Sequence, residues 1–207
     1  MNDFSLIETL RWEPEVGFIR LRLHLARLSR SARRIGFPDA ANAAAKLEET
    51  VTGATTALRM RLTLDRLGRV EVTSAPFVPT PAGTEWKVRI AETRLDSADK
   101  LLRLKTTRRD VYETARAEHP ASEADEVLLL NERGDVCEGT ITSIFLDDGS
   151  GMLRTPPISC GLLAGVLRTE LICQRKARIG RICVKDLTTG KLYMGNSLRG
   201  LIPARLV

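Results

Sequence analysis

The chain has 207 residues, of which 43% are hydrophobic and 28% charged, the balance of a soluble globular protein able to bury a core in one domain or two small ones. Its 32 basic against 26 acidic side chains leave a formal charge of +6, yet aromatics are only 4% and no RNA-binding or helix-turn-helix signature accompanies the arginines, so nucleic acid is not an expected partner. No stretch is apolar enough for a membrane span, residues 1–10 lack a secretory pattern, and Cys137, Cys160, Cys173 and Cys183, with only His24 and His119 beside them, have no metal-binding spacing; reduced thiols, no metal and a cytoplasmic location are expected.

In chain order, residues 4–10 read as a strand. Residues 21–35 place Leu21, Leu25, Leu28, Ala32 and Ile35 at helical spacing, and Gly36 closes that helix. The basic residues Arg22, Arg27, Arg30, Arg33 and Arg34 on it read as a solvated face or as a means of steering an anion. Pro38 and Asp39 open a second helix that runs to Val51 and ends at Gly53. Residues 57–64 and 69–73 flank the DRLG turn as a hairpin, and the prolines at 76, 79 and 81 keep residues 77–84 out of a strand. Residues 86–91 are extended again, and a domain junction is expected over 92–99.

The second half continues with a helix over 109–118, ended before Pro120. A strand over 126–130 turns at Gly134 and returns over 136–138. A short strand at 144–146, a helix over 162–173, and strands at 179–184 and 192–194 complete the reading. The class is α+β, with a strand-rich C-terminal half.

Three segments carry chemistry together: Lys105 in LLRLKTTRR, Glu138 in CEGTITSIF, and the small-residue run CGLLAGVLR from Cys160 to Arg168. A pyridoxal phosphate enzyme needs an amine for the aldehyde, a carboxylate to keep the pyridine nitrogen protonated, and backbone N–H groups for the phosphate. With HLARL at 24–28 and GNSLRG at 195–200, the chain resembles the class IV aminotransferase family, the fold type IV pyridoxal phosphate enzymes.

That resemblance implies a small N-terminal α/β domain, 1–95, and a larger barrel-like C-terminal domain, 96–207, acting as a homodimer on a small amino substrate that bears a carboxylate. It makes Lys105 the catalytic lysine that holds pyridoxal 5'-phosphate, and Glu138 the partner of the pyridine nitrogen. Arg27, the backbone amides of Val166 and Leu167, and the Ser197 hydroxyl are implied to hold the phosphate. The chain departs from the family pattern at Ser143, where asparagine is usual, and at Leu167, where some members have a hydroxyl residue. Asp110 stands where branched-chain aminotransferases have a tyrosine, with Tyr112 two residues beyond.

The opening FSLIETLRW and closing NSLRGLIPA look most like the 4-amino-4-deoxychorismate lyase branch, which implies β-elimination to pyruvate and 4-aminobenzoate in folate synthesis. The alternative is an aminotransferase for branched-chain or D-amino acids with a 2-oxo acid acceptor, and a third reading is a non-catalytic protein of the same fold. Arg61, Arg103 and Arg109 are candidates for the substrate carboxylate.

Overall fold

A computed structural model describes residues 4–207 and divides the chain into two units. The first runs from the N-terminus through Pro79 and includes Leu104–Arg108; the second comprises Thr80–Arg103 and Arg109–Val207.

In the first unit β1 (Leu6–Glu13) pairs antiparallel with β3 (Leu58–Leu64), β3 pairs with β4 (Val70–Pro76), and the two-residue β2 (Gly17–Phe18) lies on the other edge of β1. The hairpin expected around DRLG is present, its turn fixed by Asp65, whose carboxylate accepts the Leu67 and Arg69 N–H groups. Helix α1 (Leu21–Ile35) has the bounds its periodicity gives, and it stops where Gly36 adopts the left-handed conformation, φ 74°, and returns its N–H to Ala32. Helix α2 (Ala43–Val51) begins later than expected. Asp39 caps no helix, because its carboxylate accepts the next N–H, that of Ala40, and so stabilises a local turn instead.

Period-two alternation puts Leu6, Glu8 and Leu10 on one face of β1, and all three are buried. Glu8 is therefore a carboxylate inside an apolar layer. Its Oε1 accepts Arg27 Nε at 2.8 Å, and its Oε2 accepts an Arg27 terminal nitrogen and His24 Nδ1, each at 2.6 Å. Burial by itself raises the Glu8 pKa, but the charge and hydrogen bonds of Arg27 and the bond from His24 outweigh it and hold the carboxyl at about 2. His24 is lowered, chiefly by burial, so the imidazole is neutral and donates through Nδ1.

The second unit contains β5 (Trp86–Leu95), α3 (Asp110–Ala117), β6 (Glu126–Asn131), β7 (Val136–Gly139), β8 (Ser143–Asp147), β9 (Leu153–Thr155), α4 (Val166–Cys173), β10 (Ala177–Ile179), β11 (Lys191–Asn196) and β12 (Gly200–Leu206). Their order is β10-β9-β8-β11-β12-β5-β6-β7, and β7 also pairs with β8, which closes the ring as in a barrel. Strands β12, β5 and β6 run parallel to one another; the other ladders of the ring are antiparallel. Every residue of β6 is buried, which explains its continuous apolar run VLLL.

Four readings of this half change. The helix expected from residue 162 begins at Val166, because Gly165 is extended at ψ 145°. The strand expected over 179–184 ends at Ile179, and residues 184–188 form a 3-10 turn held by Asp186 on the Cys183 N–H. Strand β9 lies between two turn-rich stretches that mask it. Strand β12 contains Pro203, which argues against a strand by sequence; its ladder with β5 starts only at Ala204, so the missing N–H breaks no bond on that side.

A second buried carboxylate, that of Glu126 at the start of β6, reaches the turn that joins β7 to β8; the residue is 1% exposed. It accepts the N–H groups of Val127, Thr140 and Ile141 and the hydroxyls of Thr140 and Thr142. Gly139 lies against this knot: a Cβ there would stand 2.5 Å from Thr142 Oγ1 and 2.8 Å from the Glu126 carboxyl carbon.

Gly139→Ala is expected to destabilise the protein by about 1–3 kcal/mol through overpacking, read as a lower midpoint in chemical denaturation. Glu8→Ala removes the carboxylate that meets the buried Arg27 guanidinium and is expected to cost about 3–5 kcal/mol near neutral pH. Because the folded Glu8 pKa of about 2 lies below its ordinary 4.5, the contribution of the pair is complete above 4.5 and is lost as the pH falls toward 2. Denaturation of wild type and Glu8→Ala across that range should therefore show the gap between them narrowing as acid is added.

Candidate active site

In the first unit, residues 105–107 lie along the edge of β1. The Lys105 carbonyl accepts the Ile7 N–H at 2.9 Å, Thr106 bridges Leu6, and the Thr107 N–H reaches the Ser5 carbonyl. Lys105 is half-buried, flanked by buried Leu104 and Thr106. Its charge is among those that lower the His24 pKa, together with that of Arg27. The two predicted site residues of this unit, Arg27 and Lys105, thus share one electrostatic neighbourhood with Glu8 and His24. Arg27 has its Nε and one terminal nitrogen on Glu8, so its guanidinium is held in a fixed plane.

In the second unit, Glu138 is the penultimate residue of β7 and is 6% exposed. Its Oε1 accepts the Tyr112 hydroxyl at 2.7 Å and the Leu163 N–H at 3.2 Å. Tyr112 comes from α3, and the Arg109 guanidinium lies over its ring, 4.7 Å from the centroid. Arg109 also donates to the Thr140 carbonyl, in the turn that Glu126 fixes. Burial, reinforced by the Glu138 charge, pushes the Tyr112 pKa far above the usual phenol range, so the hydroxyl stays protonated and acts as a donor. Burial likewise raises the Cys137 thiol, which is therefore no nucleophile.

Ser143 organises the rest. It pairs with Glu138 across β7 and β8 and with Gly195 across β8 and β11. Its hydroxyl abuts Gly165, where a Cβ would stand 2.6 Å from Ser143 Oγ. Gly165 is the N-cap of α4, and no side chain caps this helix, so its first-turn N–H groups, from Val166 and Leu167, are those a ligand would meet. The Leu167 side chain packs with Phe145, Leu171 and Ala177 and against Gly195, leaving its amide as the one polar group it offers a ligand from the start of the helix. Ser197 is buried in the turn after β11, which Asn196 holds by accepting the Leu198 and Arg199 N–H groups and donating to Ile141. Glu138, Val166, Leu167 and Ser197 are thus arranged around neighbouring strand ends of one unit.

Sequence reasoning missed several members of these constellations. Glu8 carried a signal, its place on the apolar face of LIETL. Glu126 looked like the polar start of an apolar strand, and Tyr112 was noted only for its distance from Lys105. Arg168, 3% exposed, donates to the Pro156 carbonyl at 2.8 Å and senses the Glu138 charge. Of the cations considered for a substrate carboxylate, Arg109 is already engaged as described, Arg103 donates weakly to the Ser97 carbonyl at 3.4 Å, and Arg61 is exposed on β3. Among the described residues no cluster of three His, Cys, Asp or Glu side chains suits a metal, and no helix is long and apolar enough to cross a membrane.

Comparison with known proteins identifies the family. The model of the amino-transferase class IV family matches residues 5–207. A protein of known structure from Mesorhizobium loti, provisionally named an amino-acid aminotransferase, is 50% identical, with a TM-score of 0.96 over 99% of this chain and 100% of its own. A Schizosaccharomyces pombe protein provisionally named an aminodeoxychorismate lyase is 29% identical over 176 residues, 83% of this chain and 74% of its own length. The 4-amino-4-deoxychorismate lyase of Pseudomonas aeruginosa, 24% identical, shares the fold at a TM-score of 0.82 over 98% of this chain and 82% of its own. With a family match that spans nearly its whole length, the chain belongs to the class IV aminotransferases, pyridoxal phosphate-dependent lyases and aminotransferases.

Proposed function

We propose that this chain is a pyridoxal phosphate-dependent lyase that cleaves 4-amino-4-deoxychorismate to pyruvate and 4-aminobenzoate. The observation that carries the cofactor is the buried Glu138 carboxylate, met at Oε1 by two neutral donors. Such an anion is suited to a cationic ring nitrogen, and the uncapped start of α4, with glycine where a side chain would collide, suits a phosphate.

When bound, the cofactor supplies an aldehyde for the substrate amine and a ring that accepts electrons from the bond being broken. Glu138 would keep the ring nitrogen protonated. Val166 and Leu167 N–H groups, the Ser197 hydroxyl and the Arg27 guanidinium would bind the phosphate. Lys105 Nζ would hold the aldehyde and, as the free amine, would take the proton from substrate C4 as the enolate of pyruvate leaves C3, and would return a proton to that enolate. The gain is an aromatic ring, and a positioned base of this kind contributes about 10²–10⁴-fold.

The likeness to the Schizosaccharomyces pombe protein over most of the chain and the place of Asp110, exposed at the start of α3 rather than a tyrosine, favour the lyase over a branched-chain aminotransferase. The 50% identity to the Mesorhizobium loti protein favours the second reading, an amino-acid aminotransferase. Elimination needs no acceptor, whereas transamination needs a 2-oxo acid. The loaded protein, given 4-amino-4-deoxychorismate alone, is expected to release equal amounts of pyruvate and 4-aminobenzoate, and Lys105→Ala to release neither. Turnover seen only when an amino donor and a 2-oxo acid are both supplied would instead establish the aminotransferase.

A further inference from the structure

The contact between Tyr112 and Glu138 assigns a role to a residue outside the expected set. We infer that Tyr112 is a positioning residue that keeps the proton between Glu138 and the cofactor's pyridine nitrogen on the nitrogen. The inference rests on the cofactor reading given above.

Tyr112 reaches Glu138 Oε1 from α3 at 2.7 Å, shorter than the 3.2 Å bond from the Leu163 N–H to the same oxygen. A hydrogen bond donated to a carboxylate stabilises its ionised form, and bonds to a charged acceptor are the stronger kind. The burial of Glu138 acts the other way, since removal from water favours the neutral acid. The Tyr112 hydroxyl therefore opposes the effect of burial on this carboxylate. In a pair that shares a proton, lowering the affinity of one member leaves the proton on the other.

The hydroxyl is also aimed. The guanidinium of Arg109 lies against the Tyr112 ring and draws electron density toward itself, which makes the phenol a better donor. Arg109 is in turn anchored on the Thr140 carbonyl, and Thr140 is bound through its N–H and hydroxyl to Glu126. Positions 109, 112, 126, 138 and 140 thus form one connected path within a single unit. Removing the hydroxyl leaves Glu138 in place but more basic, and the proton moves from nitrogen to carboxyl. The ring then accepts electrons poorly, so the cost falls on the chemical step and not on substrate binding.

The test uses pyridoxal phosphate labelled with ¹⁵N in the ring, loaded into wild type, Tyr112→Phe, Arg109→Gln and Glu138→Gln. The ring-nitrogen resonance separates the protonated from the unprotonated form, which a merely structural role for Tyr112 would not move. Wild type is expected at the protonated position and Glu138→Gln at the unprotonated one. Tyr112→Phe is expected to move toward the unprotonated position, with kcat lower by about 10- to 100-fold and KM changed little. Arg109→Gln, which keeps the hydroxyl but removes the cation from the ring, is expected to move the same way by less, and it preserves the test if Tyr112→Phe folds poorly. A Tyr112→Phe or Arg109→Gln resonance that stays at the wild-type position overturns the inference alone. A wild-type protein that retains no pyridoxal phosphate overturns the proposed function, and the inference with it.

Discussion

A carboxylate removed from water costs several kcal/mol unless donors replace its hydration, and this chain buries Glu8, Glu126 and Glu138. Each is met differently, and the difference assigns its work. Glu8 meets a full cation in a fork, which produces a fixed ion pair with a depressed pKa. Glu126 meets five neutral donors from three residues of one turn and its own neighbour, which ties the β7–β8 connection into a knot. Glu138 accepts a phenol and an amide at one oxygen, neutral donors that hold the carboxylate in place.

Closing the ring sets Ser143 between Glu138 and Gly195, and the small residues Gly165 and Gly195 let α4 and β11 approach that point. Serine in place of the larger asparagine usual in the family fits the close approach of the Gly165 backbone. The departure from the family pattern at Ser143 thus goes with the close seating of α4 at Gly165.

Legibility in the sequence followed the range of the interaction. Helix α1 was readable to the residue because its period, its glycine stop and its apolar face are all local. The start of α4 was not, since the Leu163 N–H is drawn to a carboxylate 25 residues away. Strand β12 was hidden by Pro203, whose cost depends on which neighbour lacks a bond, a fact of topology. Lys105 and Glu138 were readable as residue types within motifs, and their roles remain proposals. Tyr112 and Glu126 were invisible as partners because the bonds they make span 26 and up to 16 residues, and periodicity tells which face a side chain takes, not what stands opposite.

The five residues Leu104–Arg108 belong to the first unit while the chain on both sides belongs to the second. Main-chain bonds along β1, from the Lys105 carbonyl and the Thr107 N–H, hold them there together with the Thr107 hydroxyl, which accepts the Ser5 N–H. Main-chain bonds are indifferent to the side chain that hangs from them. At position 105 the carbonyl is bonded to the edge of β1, so the backbone that carries the lysine is set by a sheet edge and not by a loop.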